Sequence, residues 1–220
     1  MLGGLISLFP ESNVALASSG RKLPGFINAP ADLVLSIVDG PRRATTIQAA
    51  LRHADVKALL AAVPHLAVVP SDARVTDATW ARGTEEAVLV AVPLVGDGPA
   101  QGALFYGLQG GKPSSWIVEL PDATDVRVAN AYVMEGGVVQ TKHANSNTVT
   151  STANACTVDC LLNAVQRYGC SGLSYTLCAV SIIGCGVFFN PLACLGAVAC
   201  TFYCGYAFAR ATCYCCGLSC

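Results

Sequence analysis

The residues of this chain with the most evident chemistry are its twelve cysteines, which can form disulfide bridges or bind a soft metal ion. All twelve lie in the last third of the sequence: Cys156, Cys160, Cys170, Cys178, Cys185, Cys194, Cys200, Cys204, Cys213, Cys215, Cys216 and Cys220. Three pairs are four residues apart, so that in a helix both sulfurs of a pair would lie on one face. These pairs are Cys156/Cys160, Cys200/Cys204 and Cys216/Cys220. The spacing predicts short helices joined to one another by disulfides.

Metal binding is the competing interpretation of these sulfurs. Structural zinc sites favour paired C-x₂₋₄-C units or a histidine partner, and segment 156–220 contains no histidine. Only Cys213-Tyr214-Cys215-Cys216 is dense enough to suggest soft-metal thiolates. Thiolates in an apolar, neutral segment need compensating positive charge, whereas disulfides carry no charge. We therefore predict six disulfides and no bound metal or cofactor, with a metal-thiolate protein as an alternative.

The cysteine-rich segment is also unusually poor in charge. No residue between Tyr168 and Ala209 is charged, and this stretch is long enough for two membrane spans hinged at Asn190-Pro191. Cysteines recur throughout this stretch, and a membrane-spanning helical hairpin does not require cysteines. Cross-linked short helices explain them better, because disulfides stabilise a chain too short for a large core. A membrane- or envelope-associated structural protein that keeps its tail uncleaved is the second alternative.

A polar segment separates the cysteines from the rest of the chain. Residues 144–155 are uncharged, small and almost without large apolar side chains, which is typical of a linker. Small residues keep such a segment open to a protease, and Ala153, Asn154 and Ala155 stand directly before the first cysteine. We predict processing in this linker. The predicted organisation is a folded part at 1–143, a linker at 144–155 and a cysteine-rich peptide at 156–220.

Composition and charge exclude several classes of protein. The chain is 53% hydrophobic and 12% charged, which argues against disorder, and its net charge of −1 argues against a nucleic-acid partner. Disulfides persist in oxidising surroundings, so we expect the cysteine-rich part to be secreted. Met1–Phe9 is the best candidate signal, but it has no basic start and Pro10 ends it early. The export route therefore stays open, with an unusual exporter or a start upstream as the options.

The first 143 residues predict a mixture of helix and strands. Ala31–Val38 is a short apolar element, and positions 47, 51, 56, 59, 60 and 63 form one apolar stripe on a helix over Thr45–Val63, capped by Thr45 or Thr46. Strands are predicted beyond Pro64, at 65–69, 87–95, 103–108, 115–120 and 126–140. The expected fold class is an α+β N-terminal domain, with one main helix on a small antiparallel sheet, followed by a small all-α disulfide-rich C-terminal domain.

No catalytic site is predicted. His53, His65 and His143 fall on a helix, a strand start and a linker, so we expect them to be packed or exposed rather than joined in a site. Glu85-Glu86 fits a solvated turn better than an acid/base pair. The run 107–114 is glycine-rich but fails the phosphate-loop spacing and is predicted to be a hairpin turn. We do not expect an enzyme.

The run from Cys178 to Cys200, with Asn190-Pro191 followed by Cys194-Leu195-Gly196, resembles the centre of the halocin C8 family of antimicrobial peptides. The resemblance covers the cysteine-rich tail only. It implies a precursor whose C-terminal part is released as a bacteriocin, a defence peptide, and whose upstream part is a leader and, in one member, an immunity protein. The partners it implies are a target-cell membrane, a processing protease, an exporter and the chain's own N-terminal part.

Overall fold

One large antiparallel sheet organises the molecule and carries helices on both of its faces. The computed structural model describes residues 33–80, 86–123, 128–145, 158–170, 172–186, 193–194, 196–197, 199–200 and 204–216. The predicted processing residues Ala153, Asn154 and Ala155 lie outside these described residues, as does the candidate signal Met1–Phe9.

Eight strands form the sheet in this part of the chain. They are β1 (Leu33–Ile37), β2 (Leu66–Val68), β3 (Arg74–Trp80), β4 (Glu86–Gly96), β5 (Gln101–Gln109), β6 (Lys112–Leu120), β7 (Val128–Glu135) and β8 (Val138–Asn145). The order is β1-β3-β4-β5-β6-β7-β8, and every pair of neighbours is antiparallel. Strand β2 pairs with the end of β4, beyond the stretch that pairs with β3. The sheet is thus a meander from β3 onward, with β1 added at its edge.

Two tight turns set the register of the β5–β6 and β7–β8 hairpins. Gly110 and Gly111 join β5 to β6 with φ values of 52° and 76°. Gly136 and Gly137 join β7 to β8 with φ values of 61° and 82°. Two-residue hairpin loops of this kind require positive φ at both positions, which glycine adopts without steric cost. The glycine-rich run 107–114 therefore contains a hairpin turn, as predicted, with the turn itself at Gly110-Gly111.

The predicted long helix is two helices, α1 (Gly40–Arg52) and α2 (Ala54–Ala62). The chain is extended at His53, with φ −61° and ψ 139°, which breaks the helical hydrogen-bond pattern. The predicted caps are wrong as well. The hydroxyls of Thr45 and Thr46 donate to the carbonyl oxygens of Pro41 and Arg42, one turn earlier in a helix that has already begun.

Helices α1 and α2 cover one face of the sheet. The residues that form this first core are Val38, Ile47, Ala50, Val56, Leu59, Val63, Leu66, Ala73, Val75, Val90, Val92, Leu94, Leu104 and Ile117. Arg43 ties α1 to the loop before β3 by donating to the carbonyl oxygens of Ser71 and Ala73. Arg42 forms an ion pair with Asp77 at 2.6 Å. Both arginines thus hold the helix layer to the sheet.

The opposite face of the sheet is covered by the cysteine-rich tail. Its helices are α3 (Val158–Arg167), α4 (Gly172–Gly186) and α5 (Gly205–Cys216), with further helical residues at 193–194, 196–197 and 199–200. The strands present to these helices a set of mostly small buried residues, which we call the tail-side face: Leu35, Ala78, Ala87, Leu89, Ala91, Ala103, Phe105, Trp116, Val118, Leu120, Ala129, Ala131 and Val133. Tail and sheet therefore share one hydrophobic core.

The predicted fold class is wrong. The sheet has eight strands where a small one was expected, two helices replace the single main helix, and the tail packs on the sheet where a separate all-α domain was expected. The physical reason is that β4, β5 and β6 bury side chains on both faces. Strands that are apolar on both sides need cover on both sides, and the tail supplies the second cover.

Candidate functional site

The tail is a helical hairpin held by nested disulfides. The described bridges are Cys160–Cys215, Cys170–Cys204, Cys178–Cys200 and Cys185–Cys194. Their sequence separations fall from 55 to 34, 22 and 9, so that each bridge encloses the next. Each of these four bridges joins an outgoing limb, within residues 158–186, to a returning limb, within residues 193–216. The cysteines thus hold two antiparallel limbs side by side.

This geometry confirms the prediction of a cysteine-rich, disulfide-bonded tail. Cys200 and Cys204, one helical turn apart, both bridge to the outgoing limb, and the Cα–Cα distance is 5.3 Å in each bridge. A single bridge that closes loops of these lengths stabilises a fold by about 2.5 to 4 kcal/mol. Cys156 and Cys220 lie outside the described residues, and so do the side chains of Cys213 and Cys216. Their pairing stays a prediction.

The interior of the hairpin is apolar, and its few buried hydroxyls are satisfied. Ser181 donates to the carbonyl oxygen of Leu177 at 2.6 Å. Thr176 hydrogen-bonds to Gln101 of β5, which is a polar contact between tail and sheet. Leaving a buried hydroxyl or amide without such a partner would cost roughly 1–3 kcal/mol. The pairing of Thr176 with Gln101 therefore favours one rotation of α4 on the sheet.

Two side chains of the tail-side face lie where the two limbs meet. A Cβ built on Gly196 of the returning limb would lie 2.6 Å from Ser181 Oγ of the outgoing limb and 3.1 Å from Phe105 Cε1 of β5. We call the surface formed by Ser181 and Gly196 the notch. At a second point, a Cβ on Gly184 would lie 2.5 Å from Ala193 Cβ and 3.2 Å from Val118 Cγ2 of β6. The limbs and the sheet therefore approach closely because glycines stand at the crossings.

A polar cluster lies on the other face of the sheet, and sequence reasoning missed its central residue. Glu119 in β6 is only 3% exposed, and its carboxylate has three polar partners. It accepts hydrogen bonds from Tyr132 at 2.7 Å and Asn130 at 3.1 Å, and His65 Nε2 lies 2.6 Å from its other oxygen. His143 Nδ1 lies 2.7 Å from Asn130 Oδ1. The structure thus brings His65 and His143 into one network, which the sequence analysis did not expect.

The electrostatics of this cluster favour a charged carboxylate. Burial alone would raise the pKa of Glu119, but hydrogen bonds with His65, Tyr132 and Asn130 outweigh it and hold the pKa below its ordinary value. Burial and the adjacent carboxylate raise the pKa of Tyr132 far above its ordinary value. The signal in the sequence was the single acidic residue inside the apolar run Trp116–Leu120, since a buried charge requires partners.

This cluster has the chemistry of a structural latch. Both oxygens of Glu119 are occupied, and His65 ties the loop after α2 to the middle of the sheet. Of the paired acidic residues Glu85-Glu86, Glu86 is exposed at the start of β4 and Glu85 lies outside the described residues. In the part of the chain that the structure describes, no three or more His, Cys, Asp or Glu side chains are grouped to hold a metal ion.

Comparisons with known proteins add no family. No family model, no curated protein and no solved structure matches the chain. Within the described residues, no helix has the length and apolar character that crossing a membrane requires. The resemblance of the tail to the halocin C8 family therefore stays a prediction.

Proposed function

We propose that the chain is the precursor of a secreted, disulfide-rich antimicrobial peptide that acts on the membranes of related microbes. In this proposal residues from about 156 to 220 are the mature bacteriocin, and residues 1–143 are a leader or immunity domain. The observation that carries it is the placement of the bridged hairpin, whose apolar surface lies against the tail-side face. A stored toxin needs such cover until it is released.

The physics of release follows from this packing. Once the linker is cut and the tail departs, the apolar surface that contacted Phe105 and Val118 is free to enter a bilayer. Charge contributes little to membrane binding, because the tail holds Arg167 and Arg210 against Asp159. The disulfides keep the hairpin compact in water, where a reduced apolar chain would aggregate. Insertion is thus driven by hydrophobic burial.

The test uses the full chain with a specific protease site inserted in the linker. The oxidised chain is cleaved and the tail fragment is assayed for growth inhibition of related bacteria and for dye release from vesicles of phosphatidylglycerol and phosphatidylethanolamine. We expect both activities from the oxidised fragment and neither from the uncleaved chain. An oxidised fragment that is inert in both assays removes the proposal.

Expression in a sensitive strain distinguishes the immunity role of residues 1–143 from the leader role. Protection by residues 1–150 supports immunity, and absence of protection leaves the leader role.

The alternative of an uncleaved membrane or envelope protein predicts the intact chain in the membrane fraction of the producer. The metal-thiolate alternative requires free thiolates, and the eight cysteines of the four described bridges have none. A mass spectrum of culture supernatant and membranes distinguishes the cases.

A further inference from the structure

Two of the contacts between sheet and tail occur at points that belong to both limbs of the hairpin. Phe105 meets the notch, where Ser181 comes from the outgoing limb and Gly196 from the returning limb. Val118 meets the second crossing, where Gly184 and Ala193 come from different limbs in the same way. Binding to a surface that contacts only one limb would not depend on the distance between the two limbs. These two side chains contact a feature that exists only when the limbs are side by side.

Two disulfides enclose the notch. Along the outgoing limb Ser181 lies between Cys178 and Cys185, and along the returning limb Gly196 lies between Cys194 and Cys200. Those four cysteines form the bridges Cys178–Cys200 and Cys185–Cys194, with Cα–Cα distances of 5.3 and 4.5 Å. The spacing of the limbs at the notch is therefore fixed covalently on both sides. Cys160–Cys215, the outermost of the four described bridges, lies well away from the notch along both limbs.

We infer that the tail-side face is a binding site selective for the bridged form of the tail, with Phe105 as its specificity-determining residue. The Phe105 side chain is fully buried, and it is the largest residue of this face that is buried completely. Its ring fits a notch whose width is set by Cys178–Cys200 and Cys185–Cys194. With those bridges open, the limbs can separate and the ring loses one of its two walls. The face then retains correctly bridged tails and releases the others.

This inference rests on the proposed function in one respect, namely that the cleaved tail is the partner that binds the tail-side face. It adds a requirement that the proposed function does not contain, namely that recognition depends on two particular disulfides. Ligand selectivity of this kind comes from pre-organisation, because a hairpin already held at the right spacing loses less freedom on binding. The same face would serve in the leader role and in the immunity role.

The experiment cleaves the oxidised full chain at a protease site placed in the linker and follows association of the two parts. Co-elution in size-exclusion chromatography and the dissociation constant are measured for the wild type and for Phe105→Ala. We expect the wild-type parts to stay together and Phe105→Ala to weaken association on the order of 100-fold. The matched control is Leu104→Ala, which removes an equally buried neighbour on the opposite face and should change affinity less than threefold.

The bridges are tested by removing them singly. The double variant Cys178→Ser/Cys200→Ser opens a bridge beside the notch and should weaken association at least tenfold. The variant Cys160→Ser/Cys215→Ser opens the outermost described bridge and should leave affinity within threefold of the wild type. Circular dichroism of each uncleaved chain checks that the helices persist. Where Phe105→Ala fails to fold, Phe105→Leu is used, with an expected loss of about tenfold.

Two results would overturn the inference. One is equal affinity for the two bridge variants, which would mean that the sheet does not discriminate the spacing at the notch. The other is an equal effect of Phe105→Ala and Leu104→Ala, which would make Phe105 an ordinary core residue. Neither result bears on growth inhibition by the released tail. Conversely, an inert tail that still binds in a bridge-dependent way would remove the proposed function and leave this site standing.

Discussion

The ring edge of Phe105 lies so close to the backbone of Gly196 that a single methyl group on that glycine would come within 3.1 Å of Cε1. The same methyl group would lie 2.6 Å from Ser181 Oγ, inside normal contact distance. Both neighbours are buried, so neither has free space to move into. Sheet, outgoing limb and returning limb therefore meet at a position where only glycine fits.

Gly196→Ala should destabilise the packing of the tail on the sheet. Crowding in a close-packed core typically costs about 1 to 3 kcal/mol, and we expect a loss of that size in the free energy of unfolding of the oxidised chain in urea. The control is Gly98→Ala, where nothing lies within 4 Å of the added Cβ. Equal free energies of unfolding for Gly196→Ala and Gly98→Ala would show that the notch can accommodate an added methyl group.

The Glu119 latch should make stability depend on acid pH. Its folded pKa lies below the ordinary value of 4.5, so its contribution is complete above that pH and is lost as the pH falls through the folded pKa. Glu119→Gln should lower the free energy of unfolding at pH 7 by about 1 to 3 kcal/mol and flatten the decline below pH 4.5. Urea titrations between pH 2.5 and 7 measure both effects.

The matched control for this variant is Glu135→Gln, which removes a half-exposed carboxylate paired with Lys142 at 2.8 Å. Exposed pairs contribute little, so we expect a change below about 1 kcal/mol at pH 7. Equal losses from the two variants, or an unchanged acid decline in Glu119→Gln, would contradict the latch.

Tyr132→Phe should raise the pKa of Glu119. The phenol donates a 2.7 Å hydrogen bond to Oε2, and this bond favours the charged form of the carboxylate. Without it, burial raises the pKa toward or above the ordinary value. Carbon-13 NMR titration of the Glu119 carboxyl measures the change. Tyr214→Phe, at an exposed ring of the tail, should leave that titration where it is in the wild type.

Disulfide mapping should recover the nested pattern. Digestion of the unreduced chain is expected to yield peptides that link Cys160 to Cys215 and Cys185 to Cys194, together with the two bridges between them. The intact chain should be about 12 Da lighter than its reduced form, since each of six disulfides removes two hydrogens. The described bridges account for about 8 Da of this. A bridge between two of Cys160, Cys170, Cys178 and Cys185, or between two of Cys194, Cys200, Cys204 and Cys215, would contradict the hairpin.

The sequence predicted individual elements well where their pattern was strong. The strands at 87–95, 103–108 and 115–120 and the turn at Gly110-Gly111 correspond to β4, β5, β6 and their connection. Strand β3 was missed because Arg74–Trp80 mixes charged, polar and apolar residues and has no clear period of two. Its pairing with β4 depends on the sheet around it, which a local pattern does not contain.

The relation between the two parts of the chain was harder to predict. Cysteine count and spacing indicated disulfides, but pairing is a property of three-dimensional proximity, so the nesting had no local signal. The docking of the tail on the sheet had an indirect signal in the sequence. Alanines at 87, 91 and 103 recur on one side of the strands, a sign that helices approach that side closely. Glu119 was similarly marked by its charge within an apolar strand, whereas its partners come from distant segments.

The nested arrangement has a consequence for the order of events during synthesis. The four cysteines of the outgoing limb leave the ribosome before any of their partners, and Cys194 is the first partner to follow. By then strands β1 to β8 are already made, since a nascent chain folds from its N-terminus. The shortest loop closes most readily, so we expect Cys185–Cys194 to form first and the bridges with longer loops to follow. The nascent chain thus carries five cysteine thiols, at 156, 160, 170, 178 and 185, before Cys194 is made, and the sheet made earlier is the neighbour that can shelter them.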